Sequence, residues 1–155
     1  MHVLVDGDCF CWQPFGGISR IFAEVLPRLM APEYGLSIRI LVQGVPRSRH
    51  LDAMRLPVTR IPHIPEDRRP WRLWNPSARW LNRRIEGAYW GHARADVFLS
   101  TYYTCPPVAA PSVCVVYDMI HELFPDGFDP AARDDVVARK RVAVEQADRV
   151  VCISE

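Results

Sequence analysis

Short continuous apolar runs alternate along this chain with longer segments in which apolar residues return every three or four positions. His2–Val5 is the first run and stops at Asp6-Gly7-Asp8. A loop through Pro14 and Gly16-Gly17 follows, and then the strongest helical pattern in the chain. Ile18, Ile21, Phe22, Val25, Leu26, Leu29 and Met30 fall on one helical face. Pro27 lies inside that pattern and is expected to bend the helix or end it early. Leu36–Val42 reads as a second strand. Residues 43–70 are rich in Pro and Arg and predict loops around a short strand near Val58–Ile61. Trp71–His92 has helical spacing through Leu73, Trp74, Ala78, Leu81, Ile85 and Tyr89. Val97–Leu99 and Val113–Tyr117 are further strands. Asp129-Pro130 supplies an N-cap and a proline at the first helical position. The helix it opens runs to about Ala147, with Val136, Val137, Ala143, Val144 and Ala147 inward, and Val150–Ile153 is the last strand.

Apolar strands separated by helices predict an α/β fold, a Rossmann-like parallel sheet with helices on both faces. With 155 residues the chain is long enough for one domain with its own core, spanning 1–155.

Composition narrows the function classes. A formal net charge of +1 gives no global field for nucleic acid, and none is expected as a partner. Of the 19 basic residues all but Lys140 are arginine. Five cysteines, scattered and odd in number, predict free thiols in a reducing compartment rather than a disulfide framework. Cys9-Phe10-Cys11 lacks a second ligand pair at metal spacing. No signal peptide is expected ahead of the first strand, and no run approaches the ~18 apolar residues of a membrane span. The expected location is cytoplasmic, or peripheral on the inner face of a membrane.

Ligands of an open parallel sheet sit beyond the carboxyl ends of its strands. The residues there are Asp6, Gly7, Asp8 and Gly16-Gly17 after the first strand. Ser100, Thr101, Tyr102 and Tyr103 follow the strand at 97–99. Asp118, His121 and Glu122 follow that at 113–117, and Ser154 and Glu155 follow the last. Gly16-Gly17 at a helix start leaves backbone N–H groups open to a phosphate, with Ser19 and Arg20 in the first turn. The spacing is not that of a dinucleotide fingerprint.

Three segments resemble glycosyltransferase family 4 in their order along the chain. They are Gly16-Gly17-Ile18-Ser19-Arg20 with its helix, Val115 to Pro125 (VVYDMIHELFP), and Ala147 to Glu155 (ADRVVCISE). The resemblance implies the N-terminal, acceptor-side half of a two-domain GT-B enzyme, which transfers a sugar with retention. The donor would be a nucleotide-diphosphate sugar, the acceptor a glycan or lipid-linked molecule, and no metal or other cofactor would be required. Gly16 and Gly17 match the glycines that approach the donor diphosphate, with Arg20 as a supporting cation. Asp118 matches the family's acidic residue after this strand. Relatives carry His just before it where this chain has Tyr117, so His121 is the substitute candidate for the catalytic contact. Tyr102, Tyr103 and Glu122 are the acceptor-side candidates. The C-terminal donor-binding domain, with its paired glutamates, has no counterpart in 1–155, so little turnover is expected of these residues alone.

Two further readings compete. Val3-Leu4-Val5-Asp6-Gly7-Asp8 also resembles the first motif of haloacid-dehalogenase-like phosphatases, which implies Asp6 as nucleophile, Asp8 as general acid and Mg²⁺ between carboxylates. A non-catalytic Rossmann-like binding module is the other. Separately, the 68–84 segment interleaves Arg68, Arg69, Arg72, Arg79, Arg83 and Arg84 with Trp71, Trp74 and Trp80. That pattern fits peripheral contact with an anionic membrane, or a sheet-covering helix with a solvated basic face.

Overall fold

Among the described residues six strands form one sheet: β1 (His2–Asp6), β2 (Ser37–Gln43), β3 (Val58–Ile61), β4 (Val97–Ser100), β5 (Ser112–Val116) and β6 (Arg149–Cys152). Their order is β3-β2-β1-β4-β5-β6, and every neighbouring pair is parallel. The computed structural model describes residues 1–64 and 75–153. Among the described residues five α-helices join the strands: α1 (Gly17–Leu29), α2 (Arg49–Ala53), α3 (Asn75–His92), α4 (Ile120–Leu123) and α5 (Pro130–Gln146). The expected α/β, Rossmann-like architecture is what the chain adopts.

The pleat sorts side chains between two faces. Val5, Ile40, Leu99 and Val113 stand in register on one. There α1 and α2 bury Phe22, Leu26, Leu51 and Met54 in a common core with Val5 and Ile40. Leu4 and Phe98 are in register on the other face, where α3 supplies Trp90 and the ring of Trp90 meets Phe98 edge-on at 5.6 Å. Each fully buried side chain of this size contributes roughly 1.5–3 kcal/mol.

The structure corrects several expectations. The loop-rich stretch after β2 contains α2, capped by the Ser48 hydroxyl, which accepts from His50 N. Helix α1 passes Pro27 and closes two residues later at Leu29, with Met30 N donating to the Pro27 carbonyl. On α3, Leu81 and Tyr89 are exposed; Ala78, Asn82 and Trp90 form the buried face. Asn82 is tolerated there because its amide exchanges two hydrogen bonds with the backbone of Ile64, at 2.8 and 3.0 Å. Trp71 and Trp74, with Arg68, Arg69 and Arg72, lie outside the described residues, as do Ser154 and Glu155.

On α5 the inward face is Val136, Lys140 and Ala143, with Ala147 packed inward just past its end, so Val144 is turned outward and exposed. The predicted N-cap is present: the Asp129 carboxylate accepts from Ala132 N at 3.0 Å. The last strand departs most. All four residues of β6 are exposed, so cover on both faces fails at this edge of the sheet among the described residues.

Candidate functional site

The central strands β1 and β4 lie side by side, and the chain leaves them in opposite directions across the sheet. That is a topological switch point, where open α/β sheets hold ligands beyond the carboxyl ends. Asp6 ends β1 there and is 2% exposed. Its carboxylate accepts from Thr101 N (2.7 Å), the Thr101 hydroxyl, the Thr104 hydroxyl and Asp8 N (3.0 Å). Burial raises the Asp6 carboxyl above its ordinary range, against the pull of these four bonds. The network wraps the turn after β4 around one side chain and holds Tyr103 at φ 57, an uncommon backbone region for a non-glycine residue. Gly7 continues the approach: a side-chain carbon there would meet Val42 Cγ2 at 2.5 Å and the Leu41 carbonyl at 2.9 Å.

The adjoining cavity, about 620 Å³, opens between α3 and α5 at this carboxyl edge. Asp8, Gln43, Arg83, Glu86 and Arg139 line it above apolar walls that include Leu41, Trp90 and Val142. The Asp8 carboxyl is pushed up to about 6, first by burial and then by the Asp6 carboxylate, with Arg139 opposing and Glu86 adding to the rise. Gln43 Nε2 donates to Glu86 at 3.0 Å. Arg139 pairs with Asp135 at 2.9 Å and stands over the Tyr102 ring at 5.8 Å; its Nε is buried without a partner among the described residues.

Gly16 and Gly17 sit at the start of α1, as the sequence predicts. Gly16 is the N-cap in extended conformation, and no side chain caps the helix. The Ser19 hydroxyl turns back to donate to the Gly16 carbonyl at 3.0 Å. A side-chain carbon on Gly17 would meet nothing within 4 Å. Nothing inside the fold therefore requires glycine at that position. Arg20 is exposed on the same first turn.

The loops after β4 and β5 gather the remaining candidates. Tyr102 is half-buried, its ring edge-on to Trp12 at 3.9 Å and tilted against Tyr103 at 4.7 Å. Tyr103 is 5% exposed and belongs to the core. Tyr117 points back into the core, where its hydroxyl donates to the Thr101 carbonyl at 2.9 Å. Tyr117 is thus a core tyrosine. Asp118 is exposed, and its carboxylate accepts from Ile120 N at 3.2 Å. His121 stacks on Phe128 at 4.3 Å, with Nδ1 buried and unpartnered among the described residues. Glu122 is engaged by Lys140 Nζ at 3.0 Å, and the same ammonium donates to the Asp118 carbonyl at 2.8 Å.

Sequence reasoning gave Lys140 and Arg139 no part in the site, and it placed Asp8 at the carboxyl edge but gave it a chemical role only in the phosphatase reading. The signal for Lys140 was its solitude in an arginine-rich chain. Asp6 is badly placed as a nucleophile: an attacking carboxylate needs a free lone pair facing substrate, and this one accepts four hydrogen bonds in the interior.

No family model, curated protein or solved structure matches this chain. No helix among the described residues is long and apolar enough to cross a membrane. On α3, Trp80 is 59% exposed with the Arg84 guanidinium over its ring at 5.1 Å.

Proposed function

We propose that this chain is the acceptor-side domain of a retaining, two-domain glycosyltransferase of the family 4 type. The observation that carries the reading is convergence. An uncapped helix start whose Gly17 faces open space and the Asp118 loop both lie at the carboxyl edge of a sheet with this strand order, beside a cavity of about 620 Å³. The uncapped N–H groups, with Arg20, suit a diphosphate of a nucleotide-diphosphate sugar. The α3–α5 cavity suits the acceptor. Its carboxylates accept only, its guanidiniums donate only and its amide does both, so hydroxyl groups satisfy all three. Lys140 fixes the loop carrying Asp118, which leaves Glu122 as a member of that brace more than a ligand contact.

The rim of this edge supports a facing domain. Trp12, Phe15, Met119, Ile120, Leu123 and Phe124 are exposed on the loops after β1 and β5. A cluster of that kind marks an interaction surface. The acceptor would be a glycan or lipid-linked molecule, and the exposed Trp80–Arg84 pair on α3 offers one contact to a membrane surface.

Gly17→Val tests the reading in the protein encoded by the frame read on past Glu155. The fold should be unaffected, because nothing stands within 4 Å of the new side chain. Donor affinity, followed as Mg²⁺-independent nucleotide-sugar transfer or hydrolysis, should fall by at least about tenfold. Wild-type-like transfer by Gly17→Val, or a frame with no second Rossmann-like domain, would overturn it.

A further inference from the structure

A second cavity, about 460 Å³, lies at the opposite, amino edge of the sheet, under the last turn of α3. Its floor follows from register. On the α3 face His2 pairs with Ser37, Leu4 with Arg39, and Leu41 with Thr59. Towards the carboxyl side this face is apolar, with Leu41 and Ile61 in the core. Towards the amino side β2 turns polar at Arg39 and Ser37, where a covered parallel strand would ordinarily stay apolar. The roof comes from Tyr89 and His92 of α3, with Arg94 just beyond it.

Its chemistry is one-sided. Arg39, Arg94, His2 and His92 line the cavity, and no carboxylate does among the described residues. No ion pair joins Arg39 or Arg94 to a carboxylate among the described residues. Asp96, on the loop nearby, is engaged by His2 N–H at 2.7 Å. His92 holds its Nδ1 against the Ala88 carbonyl at 2.7 Å, which leaves Nε2 for another partner. Ser37, Thr59 and Tyr89 add hydroxyl donors. Two guanidiniums and three hydroxyls around one space match the several acceptor oxygens of a phosphomonoester, and none of the described lining residues is an acid that would repel it as those at the other edge would.

We propose that this amino-edge pocket binds a small phosphomonoester, with Arg39 and Arg94 as its principal ligands. The phosphate could belong to a free metabolite or to a lipid headgroup; the recognising chemistry is the same. The site is independent of the transferase reading and stands or falls without it.

The test is amide-shift mapping and calorimetry with glycerol 3-phosphate, alongside flotation with phosphatidylcholine vesicles with and without phosphatidic acid. Saturable shifts at residues 37–39 and 89–94 are expected, with affinity at least about tenfold weaker in Arg39→Gln and in Arg94→Gln. Both replacements are at exposed positions, and a melting curve confirms that each variant is folded. Vesicle binding that needs phosphatidic acid and Arg39, without a response to glycerol 3-phosphate, supports the site and names the lipid as its source. Shifts confined to Gly16–Arg20, or wild-type affinity in both variants, overturn the proposal.

Discussion

Helix α3 borders two cavities on the same face of the sheet, one at each end, and they are built on different principles. The carboxyl-edge cavity mixes Asp8 and Glu86 with Arg83 and Arg139. Behind it the Asp6 carboxylate and the Lys140 ammonium each tie down a loop. The amino-edge cavity collects cations and hydroxyls, and β-sheet register alone brings its floor together. Buried charge is costly unless fully paired, so a fold that buries both Asp6 and Lys140 at one edge fixes loop geometry there at the expense of stability. The amino edge carries no such cost because its charges stay near water. One edge is preorganised and the other is merely charged.

Removing the carboxylate is the most damaging way to test that contrast. Asp6→Ala leaves the buried Thr101 hydroxyl, the half-buried Thr104 hydroxyl and two backbone N–H groups without their acceptor. A loss of about 3–5 kcal/mol is expected, read from urea unfolding. Glycerol 3-phosphate binding at the amino edge should survive in whatever fraction remains folded. A loss below about 1 kcal/mol would mean that the turn after β4 holds itself, and the contrast between the edges would fail.

Lys140→Met should cost less, about 2–4 kcal/mol, because Glu122 keeps a quarter of its side-chain exposure and can rehydrate. The sharper readout is local. Amide exchange should quicken across residues 118–123, whose anchor is gone, and stay unchanged across β2. Uniform loosening would assign Lys140 to the core rather than to the loop.

These two residues also mark where the sequence stops being legible. Periodicity located every strand and the three long helices, because alternation and the Asp129-Pro130 cap are local signals. The polar tips of β1, β4 and β5 could be assigned to the carboxyl edge of the sheet for the same reason. What the pattern cannot carry is the partner of a buried charge. Asp6 meets Thr101 and Thr104 across 95 and 98 residues of chain, and Lys140 meets Asp118 across 22. Tyr117 shows the converse. It stands where the resemblance places a histidine, yet the side chain at a strand end can turn either way, and this one turned inward to the Thr101 carbonyl. Helix α2 was missed because five residues between prolines and arginines give no periodicity to read.

Asp8 offers the one substitution expected to stabilise. Its carboxyl lies at about 6 in the folded chain against the ordinary 3.8 of an aspartate, so the folded state holds the proton more tightly than the unfolded chain. That contribution is fully present below 3.8 and is lost as pH rises through about 6. At pH 7 the group is ionised in both states and costs stability. Asp8→Asn should therefore gain about 1–3 kcal/mol at neutral pH, with the gain vanishing near pH 4. Urea melts across pH measure it. A gain that persists at pH 4 would remove burial of charge as the cause, and a loss at neutral pH would show that Asp8 makes a favourable contact in the fold.

The smallest expected effect falls at the amino edge. Arg39 is exposed, and no carboxylate is paired with it among the described residues, so Arg39→Gln should change stability by no more than about 0.5 kcal/mol at any pH. Yet a guanidinium on a central strand is not what a covered parallel sheet selects for its own packing. A residue that folding does not need, kept in a pocket with no acid among its described lining residues, would gain its use from something that arrives from outside. The same melts that show Asp8 to cost stability thus place Arg39 near zero. If Arg39→Gln instead destabilises by about 1 kcal/mol or more, the arginine is packing its aliphatic stem over Leu4 and Leu41, and the amino edge joins the core rather than standing apart from it.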